Sequence, residues 1–184
     1  MTFDGPAGRR LLALLDERDI REVLTRYCRG VDRCDEALIA SCYHEDAVDD
    51  HGNWSVRGRD AAALIVDKVR PGPDTAMHFM GNVHIEVEGD EAFAESYVQA
   101  WRAYSQDGRA YTRVRAVRFI DRFTRRNGQW RIAERVVADD WNRVDEVVET
   151  LSESGRFRWG SKGTDDPVYA IRRGPLAREP QAPR

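Results

Sequence analysis

"VHIEVEGDEAFAESYVQAWRAY", Val83 to Tyr104, alternates apolar and polar residues on both sides of Gly89-Asp90. A period of two sends successive side chains to opposite faces of an extended chain, and the Gly-Asp pair supplies a turn, so the stretch reads as an antiparallel hairpin. Downstream, "YTRVRAVRFIDRFTRRNGQWRIAERVVADDW", Tyr111 to Trp141, repeats the pattern about Asn127-Gly128. Asn-Gly suits the positive φ angles of a two-residue hairpin turn. Two long hairpins predict an antiparallel sheet of at least four strands.

Upstream the period changes. Ile20, Val23, Leu24, Tyr27, Cys28 and Val31 recur at helical spacing, which predicts a helix from about Leu11 to Val31 with one buried face. Arg21, Glu22, Arg26 and Arg29 fall on its polar face. "DEALIASCY" reads as a second, short helix capped by Asp35, with Leu38, Ile39 and Cys42 turned inward. "HEDAVDDHGNWSVRG" breaks the periodicity as a strand or loop ending at Gly52, and "RDAAALIVDKVR" gives a third helix stopped by Pro71. Helices first and strands afterwards is the order of an α+β fold with helices on one face of a curved sheet. Beyond Ser152, Gly, Pro and Arg accumulate. The expected division is therefore 1–17 as an extension and the start of the first helix, 18–151 as the folded domain, and 152–184 as an extended tail ordered where something holds it.

Composition narrows the partners. The 184 residues suffice for one full hydrophobic core, and 41% apolar with 33% charged residues fits a globular protein. A net charge of −3 provides neither a nucleic-acid footprint nor a membrane-binding surface. No run approaches the roughly 18 apolar residues of a membrane helix, and "MTFDGPAGRR" lacks the order of a secretion signal, so a cytoplasmic location is expected. Cys28, Cys34 and Cys42 are odd in number and clustered, which suits reduced structural thiols. Trp101, Trp130 and Trp141 are expected in the core or at an interface.

Chemistry enters with "RYCRGVDRCD", Arg26 to Asp35. Asp32 lies four residues after Cys28, beside the apolar stripe, where a carboxylate needs a cation or a donor. His78, at the start of the first long strand, is one candidate, since an Asp that orients a His is a common way to build a general base. A helix-end salt bridge to a nearby Arg is the plain alternative for Asp32, and a backbone-bonded core histidine for His78. His84 reads as an ordinary strand residue. His44, Asp49, Asp50 and His51 are competent metal ligands, but strand neighbours alternate faces and the spacing matches no standard site, so no metal is assigned.

Three segments together carry a resemblance: "RYCRGVDRCDEALIASCYHEDAVDDHG", "MHFMGNVHIEVEGDEAFAESY", and "DRFTRRNGQWRIAERVV" with its closing "DW". From about Arg18 to Trp141 the chain resembles the SnoaL-like branch of the nuclear transport factor 2-like superfamily. Within it the segments are similar to enzymes of the scytalone dehydratase, bile-acid 7α-dehydratase and hexachlorocyclohexane dehydrochlorinase type. The resemblance implies a cone-shaped α+β barrel, with the N-terminal helices packed in a strongly curved antiparallel sheet around an apolar pocket. It also implies an Asp-His catalytic dyad, which falls on Asp32 and His78. Tyr27 matches a tyrosine that binds or protonates the leaving oxygen, and Tyr43 is a second such candidate. Where the dehydrochlorinase carries a pocket tryptophan, this chain has Asp49, Asp50 and His51, which points to an oxygen-rich substrate. Arg135 matches a further pocket position, although strand alternation alone allows a surface arginine.

The activity so implied is a cofactor-independent lyase acting on a small aromatic, polyketide or steroid-like molecule. Elimination of water leads, and base-initiated C–C cleavage releasing a small aldehyde is a close variant. The superfamily leaves two alternatives of other classes: a ligand-binding domain without turnover, and a structural subunit like the small subunit of a ring-hydroxylating dioxygenase. The partner expected is a hydrophobic small molecule, with a second copy of the chain in a trimer, or in a dimer as the alternative. Phe157 and Trp159 in the tail are expected against a neighbour or over the pocket mouth.

Overall fold

The computed structural model describes residues 5–71, 75–150 and 157–173, in which the helices α1 (Pro6–Arg33), α2 (Glu36–Ala40), α3 (Gly58–Val69) and α4 (Pro167–Arg173) accompany six strands. The strands are β1 (Tyr43–Asp50), β2 (Ser55–Arg57), β3 (Thr75–Glu88), β4 (Glu91–Gln106), β5 (Arg109–Arg126) and β6 (Gln129–Glu146). Both hairpins close where the turn residues stand, with Gly89 at φ 61° between β3 and β4, and Asn127 and Gly128 at φ 54° and 74° between β5 and β6. A third tight turn at Asp107-Gly108 links β4 to β5, so four long strands run as a meander.

The sheet order is β2-β1-β6-β5-β4-β3, forming a curved, unclosed sheet with helices against its inner face. β1 joins β6 in parallel while every other neighbouring pair is antiparallel. Three irregularities bend the long strands. β3 shifts register between Met80 and Val83; β6 accommodates Ala133 as an extra residue between the pairs Phe123–Ile132 and Arg122–Glu134, and Asp140 between Val117–Asp139 and Ala116–Trp141. Each extra residue increases local twist and reverses which residues face inward.

α1 lies across the sheet through Ile20, Val23, Leu24, Tyr27, Cys28 and Val31, all buried. Burial of a full Ile or Leu side chain contributes about 1.5–3 kcal/mol, so this stripe anchors the helix. The buried face begins only at Ile20, and Leu11, Leu12, Leu14 and Leu15 are exposed. α2 starts as expected at Asp35, whose carboxylate accepts from the Leu38 amide at 3.0 Å. It crosses α1 at Gly30, where a Cβ would stand 2.8 Å from Ile39 Cγ1. Close approach also fixes the start of α3, because a Cβ on Gly58 would stand 2.1 Å from the His44 carbonyl oxygen.

All three cysteines are free, and Trp130 is a core residue that donates to Asp16 at 2.9 Å, whereas Trp141 is half-exposed. The expected extended tail lies partly outside the described residues, at 152–156 and 174–184. Its described part is held against the end of α1. Gly163 donates its amide to the Arg33 carbonyl at 2.8 Å, Lys162 donates to the Val69 carbonyl at 2.6 Å, and Asp166 sits beside Arg33 at 3.4 Å. α4 then places Tyr169 under the Arg29 guanidinium. No helix of the described residues is long and apolar enough to cross a membrane.

Candidate active site

Asp32 stands in the last turn of α1, at the negative end of the helix dipole, where a carboxylate is disfavoured without a donor. β3 supplies two. It is an edge strand, and its His78 amide donates to Asp32 Oδ2 at 3.0 Å, while His78 Nδ1 lies 2.6 Å from Asp32 Oδ1. A carboxylate accepts and cannot donate, so this contact assigns the ring proton to Nδ1 and leaves the Nε2 lone pair uncommitted. Both side chains are shielded but not sealed, with 13% exposure for Asp32 and 14% for His78.

His78 opens onto a cavity of about 640 Å³, within the range that holds drug-sized ligands. Val31, Ile65, Val69 and Ala76 give it apolar walls, and Tyr27 and His51 bring polar groups into it. Asp32 lines an adjoining hollow with Met77 and Trp159. Trp159 and Phe157 are both exposed, and neither lines the cavity that His78 opens onto. Tyr27 is 2% exposed, and burial raises its phenol above the ordinary value despite the opposing Arg135 charge. It keeps its proton through the neutral range and can act as a donor.

Tyr43, Asp49 and Arg135 do not line the cavity. They are closed into the core behind Tyr27, with Asp121 as a fourth member. Arg135 makes a bidentate pair with Asp121 at 2.7 and 2.8 Å, and its guanidinium is sandwiched between the rings of Tyr27 and Phe119, 4.2 Å from each centroid. Tyr43 donates to Asp49 Oδ2 at 3.1 Å. The parallel register Asp49–Arg135 and the antiparallel register Arg135–Asp121 set three charges in one row across the inner face. Such a row is tolerable in the dry interior because the cation lies between the two anions. Burial alone pushes the Arg135 guanidinium down, but the carboxylate of Asp121 and the phenols around it outweigh that and hold it charged.

The expected loss of an aromatic wall at "DDHG" is corrected by Trp54. After β1 the chain turns back through Gly52, at φ 79°, and stacks the indole on His51 with centroids 3.9 Å apart at 14°. Both rings line the cavity. Asp49 points to the core, and Asp50 accepts from the Gly52 amide at 2.7 Å. His51 Nε2 comes within 3.2 Å of Asp49 Oδ1 but is misaligned, so neither atom completes a hydrogen bond. His44 is held by the Thr124 carbonyl at 3.0 Å, and His84 is exposed beside Glu86. Among the described residues, no group of three His, Cys, Asp or Glu is arranged to hold a metal ion.

Sequence reasoning missed Trp54 and Asp121. For Asp121 a signal existed: it alternates with Phe119 and Phe123, which places a carboxylate on the buried face and demands a buried cation.

Among solved structures, the fold matches a provisionally named scytalone dehydratase from Novosphingobium aromaticivorans at TM-score 0.64 and 21% identity, over 79% of this chain and 97% of that one. It matches a hexachlorocyclohexane dehydrochlorinase of type 3 from Novosphingobium barchaimii at TM-score 0.68 and 19% identity, over 77% and 98%. A protein of unknown function from Mycobacterium tuberculosis matches at TM-score 0.60 and 22% identity, over 91% and 88%. No curated protein matches the chain. The SnoaL-like domain family matches residues 12–136, from within α1 through the first five strands to the first part of β6, and the chain therefore belongs to the SnoaL-like family.

Proposed function

We propose that this protein is a cofactor-independent lyase that removes a proton from an activated carbon of a small aromatic, polyketide or steroid-like molecule and expels a group from the neighbouring carbon. The observation that supports it most is the double grip of Asp32 on the His78 ring and amide, beside a cavity into which Nε2 is free to act. In dehydration, the C–H electron pair becomes the new C=C bond as the proton passes to Nε2. The C–O bond breaks while Tyr27 donates a hydrogen bond to the departing oxygen, and the imidazolium returns the proton so that water leaves. The Asp32 carboxylate stabilises the imidazolium between those events. Release of an aldehyde by C–C cleavage would use the same base on a hydroxyl proton.

The protein is proposed to act in the cytoplasm as a homotrimer, with a dimer as the alternative. Support comes from Met77, Phe79, Phe93 and Tyr97, which leave the outer sheet face apolar and exposed. Light scattering at micromolar concentration should return a multiple of the chain mass, and a monomer would contradict assembly.

The catalytic reading is tested with 2-tetralone, a bicyclic ketone with an activated C–H, in deuterated buffer. Wild type should accelerate exchange over buffer, His78→Ala should return it to the buffer rate, and Tyr27→Phe should retain it. Exchange that persists in His78→Ala rules His78 out as the base.

A further inference from the structure

A carboxylate oxygen in the core lacks a donor. In the row Asp121, Arg135, Asp49, the Arg135 fork takes both oxygens of Asp121, and Asp49 receives a hydrogen bond from Tyr43 at Oδ2. Asp49 Oδ1 is buried and accepts none, a cost that folded proteins seldom carry without a use for the atom. The group that faces it is His51. Asp49 and His51 stand two residues apart where β1 ends, so both side chains leave the chain on the same side, and Nε2 of the ring lies 3.2 Å from Oδ1. Nε2 is itself buried without a hydrogen bond. Two lone pairs at that separation would repel, so the ring proton belongs on Nε2 and the lone pair on Nδ1. Among the described residues Nδ1 makes no hydrogen bond, and it is not buried, on a ring that lines the cavity. His51 is as shielded as His78, with side-chain exposures of 13% and 14%.

The cavity thus has two histidines, each backed by a carboxylate through a different nitrogen: Asp32 takes Nδ1 of His78, and Asp49 faces Nε2 of His51. We propose that His51 is a specificity-determining residue whose Nδ1 receives a hydroxyl group of the substrate, one that is retained in the reaction and distinct from the group that leaves in front of His78. A hydroxyl donates to Nδ1, whereas a ketone, ether or ester oxygen only accepts and meets it with a second lone pair. Of the charged groups that line the cavity, Lys68 only donates, and Asp139 is gripped by Arg115, with Nε 2.8 Å from the carboxylate. The Trp54 indole, stacked on the His51 ring, fixes its plane and offers a flat ring system a surface beside it. A donor on Nδ1 also strengthens Nε2–H toward Asp49, so an occupied Nδ1 draws the misaligned contact with Oδ1 toward completion. The substrate class is thereby narrowed to hydroxylated ring compounds that keep one hydroxyl while losing a neighbouring group. This rests on the reading that the cavity is where His78 acts, and it is tested by binding and by the His51 ring itself, so that the two can fail separately.

The experiment is calorimetric titration of the full chain with 2-naphthol, 2-methoxynaphthalene and 2-fluoronaphthalene, the last matching the hydroxyl in size without its proton. 2-Naphthol should bind about tenfold or more tightly than either analogue, because both leave a shielded acceptor unpaired. His51→Phe keeps a ring against Trp54 and removes both nitrogens, and it should bring the three probes to within about threefold of one another. His78→Ala should keep the preference. Nitrogen–proton correlation of the wild-type histidine rings reads the same contact without any substitution. The free His51 ring should be protonated on Nε2, and its Nδ1 signal should move upfield with 2-naphthol and not with the analogues. Equal binding of 2-naphthol and its analogues, a failure of 2-naphthol to bind at millimolar concentration, a preference that survives His51→Phe, or a free ring protonated on Nδ1 would overturn the proposal. A preference that depends on His51 while wild type fails to exchange 2-tetralone protons supports the hydroxyl site and contradicts the base assignment.

Discussion

Two carboxylate clusters lie within the same inner surface and differ in one respect. Around Arg135, the groups are at most 3% exposed, and Asp121, Tyr43 and the flanking rings occupy the guanidinium. Around His78, Asp32 occupies one ring nitrogen and the other remains toward a cavity. A guanidinium whose donors are taken up inside the core has nothing left to offer a ligand, and the contribution of its cluster is to hold Tyr27 and the inner face in place. A cluster with one unsatisfied position can do chemistry. The difference arises from place: the first sits on central strands, the second at an edge strand and a helix end, where shielding is incomplete.

Breaking the closed cluster should produce the largest effect. Arg135→Met leaves Asp121 and Asp49 buried without their cation and should lower unfolding stability by about 3–5 kcal/mol in a denaturant titration. Loss below 1 kcal/mol would mean that the cluster is hydrated. Asp32→Asn should do the reverse: stability changes by no more than about 1 kcal/mol. Its 2-tetralone exchange should nevertheless fall about a hundredfold, because the imidazolium loses its counter-charge. Exchange within a few-fold of wild type would reduce Asp32 to a helix-end contact.

Alkali should sharpen the same contrast. Burial pushes the Cys28 thiol up to about 12 and raises the phenols of Tyr27 and Tyr43, so each group ionises in the unfolded chain first. Their contribution is fully present below the unfolded values and is lost as pH rises through the folded ones. Stability should therefore decline above about pH 9, the thiol region, and fall faster above about pH 10 as the phenols join. Burial raises the Cys42 thiol as well, so Cys28→Ala should make the decline between about pH 9 and 10 shallower without moving its onset, and an unchanged slope would show that Cys28 is not sealed. The smallest effect is expected at the cavity's aromatic wall. Trp54→Leu removes the stack on His51, worth about 0.5–1.5 kcal/mol, and should weaken naphthalene-based probes roughly two- to tenfold without altering the fold.

The strands, their turns and the buried helix stripe were legible because each rests on local periodicity. Direction was not, since a period of two looks the same in a parallel and an antiparallel pair, and so β1 beside β6 could not be foreseen. Arg135 shows the limit most clearly. Counting alternate residues from Trp130 and Ile132 puts Arg135 outside, and only the extra residue Ala133 returns it to the inner face. A bulge leaves little trace in a single sequence. For Asp32 and His78, 46 residues apart, spacing named each as unusual and the resemblance joined them. Trp54 was hidden in an aperiodic loop, where position depends on how the chain doubles back.

The central claim is that Asp32 fixes the His78 proton on Nδ1 and leaves Nε2 as the base, and it can be tested without knowing the substrate. Two-bond nitrogen–proton correlation of the histidine rings at neutral pH, assigned with His78→Ala, reads the tautomer directly. The account predicts an Nδ1-protonated ring in wild type that loses its single-tautomer signature in Asp32→Asn. A wild-type ring protonated on Nε2, or a signature indifferent to Asp32→Asn, would contradict it.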